Sequence, residues 1–168
     1  MTASDIMSEK TLIREKIKSK FNLPKRSKTL IALYFSDSDM TQSILSGLDI
    51  LPANFIIVGG NIDTSEAKNI VHIKKIEEID MQWIDALVCD CKDISLEKIM
   101  SMWVVPIVNE KNYLWKILSE FSAARGEGNA YLYQDFSYWS AYYALVRYLE
   151  NMKFPYDNRN LVKNVIWV

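Results

Sequence analysis

The chain's 168 residues and net charge of −1 fit one domain, with no global field that would draw nucleic acid or an anionic membrane. Hydrophobic residues make up 49% and charged residues 24%, enough for a buried core that needs no disulfide or metal. No apolar run approaches the roughly 20 residues that span a bilayer, and the first residues lack an export signal, so a cytoplasmic setting is expected, without membrane or nucleic-acid partners.

Residues 1–8 read as a loose tail, with Ser8 capping a helix that runs to about Phe21. Ile13, Ile17 and Phe21 recur at four-residue spacing on one face. The other face carries Lys10, Arg14, Lys16, Lys18 and Lys20; with no aromatics interleaved, it reads as a solvated surface rather than a phosphate-binding one. Asn22-Leu23-Pro24 ends the helix, because a residue before proline avoids the helical region.

The apolar run 29–35 predicts a central strand, followed by an acidic cap cluster at 36–39 and a helix over 40–48. Strands follow at 55–58, closed by Gly59-Gly60, and at 70–73, with a helical turn over 76–81. The stretch 85–109 organises the rest: strand 86–89, a two-turn helix over 94–100 and strand 104–108 form one βαβ unit. A helix is expected over 112–121, a loop over 125–129 and a last strand over 130–133. A long helix then spans 135–152, with Trp139, Tyr142, Val146 and Leu149 read as its core stripe, and a closing helix spans 161–168. Six strands alternating with helices predict a single α/β domain over 1–168: a three-layer, doubly wound, mainly parallel Rossmann-like sheet. Ligands collect beyond the carboxyl ends of such strands, here at 90–93 and 109–112.

Asp37, Asp39, Asp90 and Asp93 follow two strand ends and could hold Mg²⁺, but helix capping accounts for them more simply, so no metal site is expected. His72, the sole histidine, reads as a packed residue with one hydrogen bond. Cys89 and Cys91 lie two apart on one strand face, badly placed to bridge each other, and lack the further ligands of a tetrahedral metal site. Gly59-Gly60 lacks the remaining spacing of a dinucleotide fingerprint and reads as a turn.

The order of segments resembles the C-terminal, nucleotide-sugar-binding half of bacterial glycogen or starch synthase, a GT-B type glycosyltransferase. Residues 9–24 are similar to the family's linker helix ending in Gly-Leu-Pro, 28–35 to its next strand, and 54–60 to the strand closed by a glycine turn. Residues 104–108 resemble its Gly-x-x-Pro-Ile-Val strand, 128–135 its Gly-x-Gly-Phe-x-Phe followed by acidic residues, and 159–168 its closing helix. The resemblance implies glucose transfer from a nucleotide-diphosphate donor to an α-glucan, a hexosyltransferase reaction with no resident cofactor. It needs cations on the diphosphate, a carboxylate near the sugar and backbone N–H groups at a helix start.

This chain departs from those requirements. Ser36 stands where the family has Arg, Thr41-Gln42 where it has Lys-Gly, and Asn112-Tyr113 where a Gly-Gly cradles phosphate. The family's motif carboxylate falls on Asp90, one methylene shorter than Glu. If a site survives, the resemblance puts Asp90 at the sugar as the catalytic carboxylate, with Ser36, Lys111 and the Asn112 and Tyr113 amides at phosphate. The expected reading is a scaffold with a degraded donor site, its ligand a nucleotide-diphosphate glucose. The alternative is a non-catalytic interaction module whose partner is a second copy or a separate N-terminal glycosyltransferase half. Trp103 stands where the family has Gly, and five Gly against five Trp is an odd balance for this fold. Glycine positions read from UGA codons at 103 and 115, or ordinary tryptophans, account for it equally.

Overall fold

Short aliphatic runs that need cover on both faces pair into one sheet in this computed structural model, which describes residues 3–25, 27–90, 94–111 and 117–166. In chain order the elements are α1 (Ala3–Lys20), β1 (Leu30–Tyr34), α2 (Ser38–Leu48), β2 (Asn54–Val58) and β3 (Ile70–Ile73). Then come β4 (Ala86–Cys89), α3 (Leu96–Ser101), β5 (Val105–Asn109), β6 (Tyr131–Tyr133), α4 (Tyr138–Asn151) and α5 (Pro155–Ile166). The six-stranded order is β3-β2-β1-β4-β5-β6, and every neighbouring pair is parallel. This is the doubly wound Rossmann-like fold expected from the sequence. The strand order reverses between β1 and β4, where Tyr34 pairs with Cys89, and such a reversal opens a crevice at the carboxyl rim. All residues of β2, β4 and β5 are buried, as central strands require.

Several elements differ from expectation, each for a readable reason. α1 begins at Ala3 rather than Ser8, so residues 3–8 are helix and not tail. Its basic stripe is only partly solvated: Lys16 and Lys20 are exposed, but Lys10, Arg14 and Lys18 are buried with Ile6 and Ile17. Lys10 Nζ donates to the carbonyls of Ile84 at 2.6 Å and Trp103 at 2.7 Å. Arg14 pairs with Asp85 at 3.1 Å and donates to Lys28 O, while Asp85 accepts the Leu30 N–H at 2.9 Å. The cations therefore strap α1 across the amino ends of the strands, satisfying carbonyls that would otherwise be stranded.

The expected turn over 76–81 is two single 3₁₀ turns, Ile76–Glu78 and Met81–Trp83. Of the helix expected over 112–121, residues 112–116 lie outside the described residues, and the remainder is extended. Glu120 bridges Ala130 in parallel beside β6, and the Asn129 side chain ties Ser119 N and Ile117 O. Of the expected stripe Leu149 is buried and Tyr142 packs partly buried on the core, but Trp139 is 67% exposed; α4 packs chiefly through Ala141, Ala144, Leu145 and Tyr148. The closing helix starts at Pro155, where a missing N–H is harmless.

Candidate functional site at the β1/β4 crossover

Beyond β1 the chain surfaces at Ser36, and beyond β4 at Asp90. The Ser36 N–H donates to Asp90 Oδ1 and the Ser36 hydroxyl to Asp90 Oδ2, each at 2.8 Å. Two residues 54 apart in sequence thus close a two-point clasp across the crevice. The structure brings together this expected pair, but it engages both carboxylate oxygens with Ser36.

The α2 amino end opens at the same rim. Asp37 is its N-cap, with Oδ1 accepting the Asp39 N–H at 2.8 Å, and Asp39 lies in its first turn. Thr41, on the family's Lys-Gly positions, is buried and donates its hydroxyl to Asp37 O at 3.0 Å. The positive end of the helix dipole is therefore met by two carboxylates, which disfavour a further anion there.

On the next strand, Asn109 is buried; its Oδ1 accepts the Lys111 N–H at 2.9 Å and its Nδ2 donates to Gln134 O at 3.1 Å. These bonds turn the chain outward, leaving Lys111 exposed at the rim. The expected phosphate positions Asn112 and Tyr113 lie outside the described residues. The Tyr133 hydroxyl donates to Cys89 O at 3.1 Å, tying β6 to β4 over β5. Around the ends of β1, β4 and β5 the described charged side chains are Asp37, Asp39, Asp90, Glu110 and Lys111, with Lys74 and Lys75 following β3.

Farther along the rim is a cleft of about 380 Å³ between β6 and α4, walled by Glu110, Glu120, Asp135, Tyr143 and Arg147. Arg147 bridges Glu120 and donates to Leu132 O at 2.7 Å, with its guanidinium 5.7 Å from the Tyr131 ring and 5.1 Å from the Tyr143 ring. Burial, with Glu120 adding, pushes the Tyr131 phenol far above its usual range, so it stays neutral. Sequence reading missed this group because Arg147 and Glu120 are 27 residues apart with no local motif.

The remaining motif residues have structural roles. His72 Nε2 sits 2.9 Å from Gly59 O, the single hydrogen bond expected of a packed histidine. Gly59 and Gly60 have φ of 81° and 68°, a left-handed turn that favours glycine. Among the described residues no three His, Cys, Asp or Glu side chains converge to hold a metal, and no helix is long and apolar enough to cross a membrane. Cys91 and Asp93 lie outside the described residues.

No protein-family model matches the chain, and no curated protein sequence matches it significantly. Solved structures do. The catalytic domain of starch synthase IV from Arabidopsis thaliana, bound to ADP and acarbose, superposes with a TM-score of 0.78 at 13% identity, covering 100% of this chain and 40% of that one. A structure of EarP-mediated arginine glycosylation of translation elongation factor EF-P gives 0.51 at 11% identity, over 96% of this chain and 63% of the other. This chain spans less than two thirds of either. Its fold is that of the C-terminal, Rossmann-like half of a GT-B type glycosyltransferase.

Proposed function

We propose that the chain is a glycosyltransferase-like domain related to glycogen and starch synthase, built around a nucleotide-diphosphate-sugar site at the β1/β4 crossover that has lost its grip on the diphosphate. The Ser36–Asp90 clasp carries this reading: where the chemistry needs a cation and an available carboxylate, a hydroxyl and that carboxylate hold each other. The fold likeness to a starch synthase that holds ADP supports the ligand class. If transfer persists, Asp90 faces the sugar as catalytic carboxylate, with Ser36, Lys111, Asn112 and Tyr113 toward phosphate, in a cytoplasmic hexosyltransferase.

Calorimetric titration with ADP, UDP and their glucose esters tests the reading. A degraded site gives dissociation constants weaker than about 1 mM, since losing a bidentate cation–phosphate contact costs about a hundredfold. Micromolar binding that Asp90→Ala abolishes would show an intact donor site and end the proposal.

A second reading, a non-catalytic interaction module, is favoured by the rings at the start of α4. Phe136, Trp139 and Tyr143 are all more than 60% exposed beside the carboxyl rim. The partner is a second copy of this chain or a separate N-terminal glycosyltransferase half. Light scattering separates these: a dimer dispersed by Trp139→Ala with Tyr143→Ala supports self-association, and a monomer at about 100 μM removes that branch.

A further inference from the structure

At the opposite, amino end of the sheet, a cleft of about 340 Å³ opens between α1 and the α4–α5 junction. Ile6, Trp103 and Val162 form its apolar side, and Lys10, Arg14, Lys28 and Asp85 its charged side. The carboxylate is already taken: Asp85 pairs with Arg14 at 3.1 Å and accepts the Leu30 N–H at 2.9 Å. Lys10 donates to Ile84 O and Trp103 O, which leaves one of its three N–H groups. Three cations against one engaged carboxylate leave the cleft positive.

Two residues lining this cleft each carry a buried polar atom with no hydrogen-bond partner among the described residues: Arg14 Nε, a donor, and Asn158 Oδ1, an acceptor. Asn158 is only 4% exposed. Buried polar groups are nearly always paired, so an unpaired donor and an unpaired acceptor in one walled cleft mark a missing partner. Surplus positive charge specifies an oxyanion for the donor side, and the lone carbonyl oxygen specifies a hydroxyl.

We propose that this cleft binds a small hydroxylated oxyanion, a phosphorylated or carboxylated polyol. Its anionic group lies toward Arg14, Lys10 and Lys28, and a hydroxyl donates to Asn158 Oδ1. The site stands apart from the carboxyl rim, so its fate is independent of the donor-site reading. Burial holds Lys10 near 8, with Asp85 raising and Arg14 lowering it. Lys28 and the Tyr148 phenol line the same cleft, and burial keeps that phenol neutral. A bound anion restores the Lys10 proton, so affinity falls as pH rises past 8.

The test is calorimetry on the 168-residue chain with glycerol 3-phosphate and with glycerate, which separate the phosphate and carboxylate sources, and with inorganic phosphate alone. Saturable binding of a hydroxylated anion is expected, at least about tenfold tighter than inorganic phosphate and weakening between pH 7 and about pH 9.5. Asn158→Leu removes the stranded carbonyl, so it keeps or raises the melting temperature while losing about tenfold in affinity. Asn158→Asp loses at least as much by charge repulsion. No saturable binding at ~10 mM of either polyol anion, unchanged affinity in Asn158→Leu, or pH-independent affinity overturns the assignment.

Discussion

Lys10 makes an unusual prediction about stability against pH. The residue is 5% exposed, and its ammonium is held between two backbone carbonyls. Burial lowers its pKa from the usual 10.5 to about 8, Asp85 opposing and Arg14 reinforcing the shift. A lysine whose folded pKa lies below its unfolded one penalises the folded state while charged. That penalty is complete below pH 8 and disappears as pH rises to 10.5. At 1.36 kcal/mol per pKa unit the full effect is about 3 kcal/mol, of which about 2 kcal/mol is recovered between pH 8 and pH 10. Other groups titrate there too. Unfolded thiols ionise near 8.5, and above about 10 the unfolded chain loses phenolic protons that folded Tyr131 and Tyr148 retain, which lowers stability. The measurement is therefore a difference: urea unfolding by circular dichroism from pH 7 to pH 10, wild type against Lys10→Met. Wild type should gain about 2 kcal/mol relative to the variant across that window. Parallel pH profiles would refute the strap described for α1, whatever the variant's stability at pH 7.

Three further outcomes follow from the packing. Trp103 ends α3 in the left-handed region, φ 63°, with its N–H on Met100 O at 2.8 Å and Val104 N–H on Ile99 O at 3.4 Å, a helix stop that glycine usually fills. Trp103→Gly should therefore unfold about 1 kcal/mol later than Trp103→Ala, against the usual Ala-over-Gly order; equal stabilities would deny the strain. Gly128→Ala places a Cβ 2.2 Å from Glu120 O at φ 92°, so thermal melting should show a loss of at least about 2 kcal/mol. Asp85→Ala strands the Arg14 guanidinium and the Leu30 N–H, and urea titration should register about 3–5 kcal/mol of destabilisation.

The sheet was legible because aliphatic runs covered on both faces leave few alternatives: 86–89 and 70–73 fall on β4 and β3 residue for residue. Side-chain placement was less legible wherever the deciding partner is remote. Nothing near Lys10 in sequence announces the carbonyl of Ile84, 74 residues on, so a buried basic stripe looks like a wet one. Segment 117–121 has helical spacing, yet the Asn129 side chain holds it extended from ten residues away. In α4 the small residues Ala141 and Ala144 allow close approach to the sheet, which turns Trp139 outward. Asn22 and Trp103, by contrast, stand on positions where the family resemblance has glycine, and both adopt positive φ. Asp90 was readable as a crevice residue from its strand end and Ser36 through the family resemblance, but their bond to each other was not.

That bond separates a site kept for chemistry from one absorbed into the scaffold. Binding groups held apart for a ligand usually cost stability, so removing one leaves the fold unchanged or firmer. Asp90 instead accepts two hydrogen bonds from Ser36 and joins β1 to β4 at the sheet's reversal point. Charge-assisted bonds of this kind contribute about 1–2 kcal/mol at a partly exposed site. Asp90→Ala, which removes both bonds, should destabilise by about that much, Ser36→Ala, which keeps the backbone N–H bond, by less, and the double variant by scarcely more than Asp90→Ala alone. Additive losses would mean the two side chains act independently. An Asp90→Ala chain more stable than wild type would mean that the carboxylate is held at the rim against the fold's own preference, as a working sugar site requires.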